Sequence, residues 1–236
     1  DKFVERKSHT IGVIGAGRLG ICFALLVDAA GYDVVVSDVR ESYVKNLNER
    51  TISTNEPLVA DLLKDSKIKA TTSNKEVIEE CDIIYTFVAT PSTKDGDYDV
   101  SAINSVVKDF NGVSGKTFVV GCTTNPGDCK KFQKELPDIK VFYNPEFIAQ
   151  GSIIKGLREA DMVLVGGDYD AHEEHNSIFQ IYEAIQTTPV AYHSMSLTAA
   201  ELVKMALNCY LTMKISYANQ VGEVMSRFGL GEEIDT

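Results

Sequence analysis

Thr10-Ile11-Gly12-Val13-Ile14-Gly15-Ala16-Gly17-Arg18-Leu19-Gly20 is the stretch whose reading decides the fold. Its first five residues read as a buried strand, three glycines in the pattern Gly-x-Gly-x-x-Gly follow at once, and a helical apolar stretch runs from Arg18 to Ala30. Gly15 permits the tight turn, Gly17 lets a pyrophosphate approach the main chain, and Gly20 lets helix and strand pack closely. A second strand, Asp33 to Ser37, is closed by Asp38, 18 residues after Gly20. The glycine pattern alone is a weak signal. With strand, helix and acid at these spacings it predicts a dinucleotide-binding unit.

In such a unit the main-chain amides opening the first helix, at Gly17, Arg18 and Leu19, hold the phosphates. Asp38 accepts from the hydroxyls of the adenosine ribose and repels a 2′-phosphate, which favours NAD over NADP. Arg40, two residues on, tempers that preference, because its guanidinium can pair with a phosphate; stacking on adenine or plain solvation fits it as well. Val88-Ala89-Thr90-Pro91 and Cys122-Thr123-Thr124-Asn125-Pro126 end later strands, where the nicotinamide half of the cofactor is expected to rest. The Val88, Thr90 and Thr124 positions are therefore cofactor candidates, although such hydroxyls also form ordinary turns.

The alternation of strand and helix continues beyond Asp38. A helix is predicted over Glu41 to Asn48 and another from Pro57, then strand Ile68 to Ala70, a helix near Lys75 to Glu80, and strand Ile83 to Val88. Further strands are predicted at Thr117 to Gly121, Val141 to Tyr143, Met162 to Gly166 and Val190 to His193, with helices between several of them. The class is α/β: a Rossmann-like, doubly wound, mostly parallel sheet covered on both faces. From Leu197 to about Phe228 the chain has no Pro and no strand-like alternation, so it reads as one long helix of roughly 45 Å. Residues 1–195 are thus expected to form the dinucleotide-binding domain. Residues 196–236 are read as a central dimerisation helix and the start of a further, missing part.

The net charge of −11 disfavours binding to nucleic acid or to an anionic membrane surface. No apolar run approaches the ~20 residues that span a bilayer, and the charged start, Asp1 to Lys7, lacks a signal-peptide core, so a cytoplasmic location is expected. Cys22, Cys81, Cys122, Cys129 and Cys209 are odd in number and sit mostly in apolar segments, which suits reduced, packed thiols. His172-Glu173-Glu174-His175 has its two histidines three apart and no third ligand in view; it is read as a solvated helix face, and no metal site is expected.

Two further segments carry chemistry. In Tyr143-Asn144-Pro145-Glu146-Phe147-Ile148-Ala149-Gln150-Gly151, Glu146 is framed by apolar residues and a proline, without a basic neighbour. That suits a carboxyl group in a shaped pocket at a strand end; a turn residue capping the next helix fits equally. In the long helix, Glu201, Lys204 and Asn208 stand at i, i+3 and i+7, on one face. Lys204 can pair with Glu201, or Lys204 and Asn208 can point at substrate oxygens and stabilise an oxyanion.

The Gly-Ala-Gly-Arg-Leu-Gly loop with Asp38, the Asn144-Pro145-Glu146-Phe147 segment, and Glu201-Leu202-x-Lys204-x-x-x-Asn208 together resemble the UDP-glucose/GDP-mannose dehydrogenase family of nucleotide-sugar 6-dehydrogenases. The resemblance runs from Thr10 to the end. It implies a four-electron oxidation of a sugar C6 alcohol to a carboxylate, with reduction of two NAD, through a cysteine thiohemiacetal and a thioester cleaved by water. It also implies a place in polysaccharide biosynthesis and a homodimer formed through the central helix. By position, Glu146 becomes the acid/base of the hydrolytic step, Thr124 orients the water, Lys204 and Asn208 hold the oxyanion, and the Phe147 and Ile148 main chain lines the sugar pocket.

Two departures from the family pattern stand out. Gln150 occupies a position where many members carry a second carboxylate, and Gln cannot exchange a proton. The nucleophilic cysteine and the nucleotide-binding domain, which follow the central helix in the family, are absent from these 236 residues, so the chain is expected to bind NAD without completing the reaction. A two-electron dehydrogenase of the 3-hydroxyacid type and a non-catalytic NAD-binding module are the competing readings.

Overall fold

The computed structural model describes residues 7–148, 152–167 and 174–233. Strands β1 (Thr10–Ile14), β2 (Asp33–Ser37), β3 (Lys69–Thr71), β4 (Ile83–Thr86), β5 (Thr117–Val120), β6 (Lys140–Tyr143), β7 (Met162–Gly166) and β8 (Ala191–Met195) form one sheet in the order β3-β2-β1-β4-β5-β6-β7-β8. All neighbours are parallel except β6 and β7, which meet in antiparallel sense at Tyr143 and Gly166. The chain is therefore doubly wound, and its strand order reverses between β1 and β4, the switch point at which such sheets bind ligands.

The helices are α1 (Arg18–Ala29), α2 (Glu41–Asn48), α3 (Val59–Asp65), α4 (Asn74–Glu80), α5 (Ser101–Asp109), α6 (Asp128–Glu135), α7 (Ile153–Arg158), α8 (Glu174–Ile185) and α9 (Leu197–Arg227). Central strands such as Ile83–Thr86 are buried on both faces, as parallel strands covered by helices must be. One core packs α1, α3, α7 and α8 against the sheet around Phe23, Tyr85 and Phe142. The other packs α4, α5, α6 and the start of α9 around Phe110, Phe118 and Phe132.

Several expected boundaries move. The helix expected from Pro57 starts at Val59, because Leu58 takes a left-handed φ of 70° at its N-cap. The third strand is displaced by one residue, to Lys69–Thr71, and the fourth stops at Thr86. Cys22, Cys81 and Cys129 are packed in the core as expected, and burial pushes the Cys22 and Cys81 thiols up to about 12. Cys209 departs from that expectation. It is exposed, because α9 has left the sheet by that point and no described residue covers it.

The long helix is confirmed, with 31 residues. Only Leu197, Ala200, Glu201 and Lys204 of it are buried, all in its first eight residues. Ser196 caps it by accepting from the Ala199 amide. Beyond Asn208, Tyr210, Met213, Tyr217, Val221, Val224 and Phe228 recur at three- and four-residue spacing and stand exposed in one stripe. No described helix is long and apolar enough to cross a membrane.

Candidate functional site

The glycine loop has the shape its sequence calls for. Gly15 has φ +91°, and the amides of Gly15 and Ala16 donate to the Ser37 carbonyl at 2.9 and 3.2 Å, tying the loop to the end of β2. A Cβ on Gly20 would overlap the Gly15 carbonyl oxygen, so helix and turn pack as only glycine allows. A Cβ on Gly17 would meet nothing within 4 Å. The main chain at the start of α1, with the Arg18 and Leu19 amides, therefore faces open space at the switch point, which fits a pyrophosphate.

Asp38 is not free. Its Oδ1 accepts from the Arg40 amide at 3.0 Å and from Arg40 Nε at 2.7 Å, while Oδ2 accepts from a terminal nitrogen of the same guanidinium at 2.9 Å. Burial pushes the Asp38 carboxyl up, but the hydrogen bonds from Arg40 outweigh it and hold the group below its ordinary value. The guanidinium also lies 4.1 Å from the ring centre of Tyr43, whose hydroxyl donates to the Ala16 carbonyl of the glycine loop. Arg40 is thus engaged by two protein partners.

On the other side of the switch point, Phe87 and Val88 continue from β4, with the Phe87 amide donating to the Ile14 carbonyl at 2.8 Å. Gly121 makes room for the Phe87 ring, which any side chain there would overlap. Val88 packs on the second core, and Thr90 is partly buried. Asn125 exchanges hydrogen bonds with the main chain of Tyr98 at 2.8 and 2.9 Å and donates to Asp128, so the loop after β4 is pinned to the turn after β5.

The long helix meets that turn through Glu201. Fully buried, it accepts from the Thr124 hydroxyl at 2.8 Å, the Cys129 amide at 2.8 Å and the Gly127 amide at 2.6 Å. Its carboxyl group thereby satisfies amides at the start of α6 that the helix itself leaves open. Glu201 does not pair with Lys204. Lys204 reaches across to Glu146 instead, its Nζ donating to the Glu146 carbonyl at 2.5 Å and lying 3.8 Å from Oε1. It also stands 5.0 Å from the Phe147 ring centre. Burial lowers the Lys204 pKa, with Glu146 acting in the opposite direction. Asn208 follows one turn later on the same face, partly buried.

Glu146 is 30% exposed in its side chain, and its Oε2 accepts from the Ile148 amide at 2.6 Å. The capping task belongs elsewhere. The N-terminus of α7 is served by Ser152, which accepts from Lys155, and by Glu56, whose Oε1 accepts from the Ser152 hydroxyl and the Ile153 and Ile154 amides. Glu56 Oε2 lies 4.0 Å from Arg18 of the glycine loop. Glu146, Phe147 and Ile148 instead line a cavity of about 280 Å³ with Lys155, Asp161 and Tyr182. Its back wall is braced by Asn144, which accepts from the Tyr182 hydroxyl at 2.6 Å and donates to the Leu164 carbonyl.

Glu56 carries no local sequence signal, since its α7 partners are remote in the chain; Asn144 belongs to the Asn144–Phe147 segment, but its partners Tyr182 and Leu164 are equally remote. The Arg40–Tyr43 contact has a faint one, the three-residue spacing at the start of α2. Gln150 and the residues on either side of it lie outside the described residues, as do His172, Glu173 and the side chains of Glu174 and His175. Among the described residues no cluster of His, Cys, Asp or Glu could hold a metal ion.

The NAD binding domain of the UDP-glucose/GDP-mannose dehydrogenase family matches residues 9–186. The UDP-glucose 6-dehydrogenase TuaD of Bacillus subtilis is 28% identical over 232 residues, which cover 93% of this chain and 49% of that protein. A UDP-glucose dehydrogenase from the archaeon Pyrobaculum islandicum has a TM-score of 0.83 at 25% identity, over 98% of this chain and 55% of its own. A GDP-mannose dehydrogenase from Pseudomonas aeruginosa shares the fold with a TM-score of 0.84 at 24% identity, over 95% and 55%. The chain spans about half the length of the relatives it matches.

Proposed function

Since the chain belongs to the UDP-glucose/GDP-mannose dehydrogenase family and carries its NAD-binding domain, we propose that it is the cofactor half of a nucleotide-sugar 6-dehydrogenase. The enzyme oxidises the sugar C6 alcohol to a carboxylate, and its nucleophilic cysteine and nucleotide-binding domain lie outside these residues. The observation that carries the reading is the meeting of Lys204 with Glu146 beside the cavity at the end of β6. It joins the two family segments, far apart in sequence, into one polar site at the carboxyl edge of the sheet.

The chain's own residues divide the work. Bound NAD would supply the hydride acceptor, held by the Gly15–Gly20 loop and Asp38, with Val88 and Thr90 toward its nicotinamide end; Thr124, fully buried against Glu201, stands behind that wall. Glu146 moves the proton of the hydrolytic step; Lys204, a buried cation, stabilises negative charge on the substrate oxygen, assisted by Asn208. Thr124 is fully buried and its hydroxyl gives its hydrogen to Glu201, so it fixes the turn after β5 through Glu201 and does not reach a water, against the role expected from its position. The Ile148 amide is taken by Glu146, which leaves the Phe147 amide as the main-chain donor toward the sugar.

The exposed apolar stripe of α9 supports pairing with a second copy through that helix, because a stripe of such length and composition is seldom left in water. The test of function is an assay of the full-length protein with NAD against UDP-glucose, GDP-mannose and UDP-N-acetyl sugars. One of them should yield NADH and a sugar acid; turnover of 3-hydroxy acids alone would favour the two-electron reading instead.

A further inference from the structure

The acid that closes β2 is the residue that normally grips the adenosine ribose, and its acceptor positions are nearly used up. A carboxylate offers about four such positions. Arg40 fills both on Oδ1, with its amide and Nε, and one on Oδ2, with a terminal guanidinium nitrogen. The vicinal hydroxyls of a ribose would donate two hydrogen bonds, and with the Ala16 amide also acting on the carboxylate at most one place is left.

Two arrangements satisfy the ribose. Arg40 stays, one hydroxyl binds Oδ2, and the negative charge of Asp38 is already countered by the guanidinium. Alternatively the Arg40 side chain swings off Asp38 and rests on Tyr43, itself fastened to the Ala16 carbonyl, which leaves a free fork of donors at the ribose edge. The side chain is 55% exposed, so the movement breaks its two guanidinium bonds to Asp38 and turns the group toward solvent. In the first arrangement the paired guanidinium counters the repulsion that a bare acid exerts on a 2′-phosphate, and in the second the phosphate gains a bidentate partner that offsets it.

We propose that Arg40 sets cofactor selectivity in this chain and admits the 2′-phosphate of NADP alongside NAD. The proposal rests on the reading of the Gly15–Gly20 loop and Asp38 as the cofactor site. Arg40→Ala exposes the Asp38 carboxyl and removes the phosphate partner, so the discrimination between the two cofactors moves with it.

The test is a fluorescence titration of the 236-residue chain and its Arg40→Ala variant with NADH and with NADPH. The parent should bind NADPH within about tenfold of NADH, and the variant should shift the ratio of the two affinities by about tenfold or more toward NADH. A parent that binds NADH and rejects NADPH, or a variant whose ratio is unchanged, overturns the role of Arg40. A parent that binds neither overturns the cofactor-site reading itself, and the proposal with it.

Discussion

Lys204 and Glu146, 58 residues apart in sequence, meet at the carboxyl edge of the sheet, with the lysine ammonium on the glutamate carbonyl and 3.8 Å from its side chain. The contact closes the gap between the central helix and the segment after β6. It also places a buried cation against Glu146 and Phe147, two residues that line the cavity at the end of β6.

That burial has a pH signature. The native pKa of Lys204 lies below 10.5, so between the two values the unfolded chain holds a proton that the native chain lacks. Stability from this group therefore rises with pH across that window. In urea unfolding from neutral pH upward, the parent should gain stability relative to Lys204→Met as pH approaches 10.5; a constant difference would contradict it.

Glu201 anchors the helix. Removing its carboxyl group with Glu201→Ala leaves the Gly127 and Cys129 amides and the Thr124 hydroxyl without their acceptor and should cost about 2–4 kcal/mol in unfolding free energy. Glu201→Gln keeps an acceptor oxygen and should cost less. Equal stability of all three proteins in urea would show the cluster to be dispensable.

Two glycines separate packing from binding. Gly20→Ala forces a methyl onto the Gly15 carbonyl and should destabilise by about 1–3 kcal/mol. Gly17→Ala meets no atom and should leave unfolding within about 0.5 kcal/mol of the parent while weakening NADH binding about tenfold. A Gly17→Ala variant with undiminished affinity would place the pyrophosphate elsewhere.

Asp38→Ala removes the ribose acceptor and frees Arg40. NADH affinity should fall about tenfold and the preference for NADH over NADPH should weaken. Unchanged titrations with both cofactors would count against the site.

The α9 stripe predicts self-association. Sedimentation equilibrium should give a dimer for the parent and a monomer for Tyr217→Glu, which sets a charge in the middle of the exposed apolar row. A monomeric parent at high concentration would remove the helix from the interface.

The sheet was legible in sequence because parallel strands covered on both faces are continuous apolar runs, and Thr10–Ile14, Asp33–Ser37 and Met162–Gly166 fall where those runs lie. The glycine loop was legible because its geometry admits one residue type at Gly20. The partners of the polar groups were not. The spacing of Glu201 and Lys204 suggested a pair, yet each binds a different remote segment, because an amide-rich helix start and a strand exit lie on either side of α9. Glu56 was missed for the same reason: its partners begin at Ser152, 96 residues away, and no local pattern announces them. The sequence offers Arg40 phosphate, adenine or solvent, whereas its nearest partners are its own neighbours Asp38 and Tyr43.

The most direct test of the proposed chemistry is a count of cofactor reduced per sugar oxidised by the full-length protein carrying this chain. Two NADH for each nucleotide sugar converted to its acid, with the activity lost on thiol alkylation, is the result expected. One NADH per substrate, insensitive to alkylation, would contradict the four-electron oxidation and leave a two-electron dehydrogenase in its place.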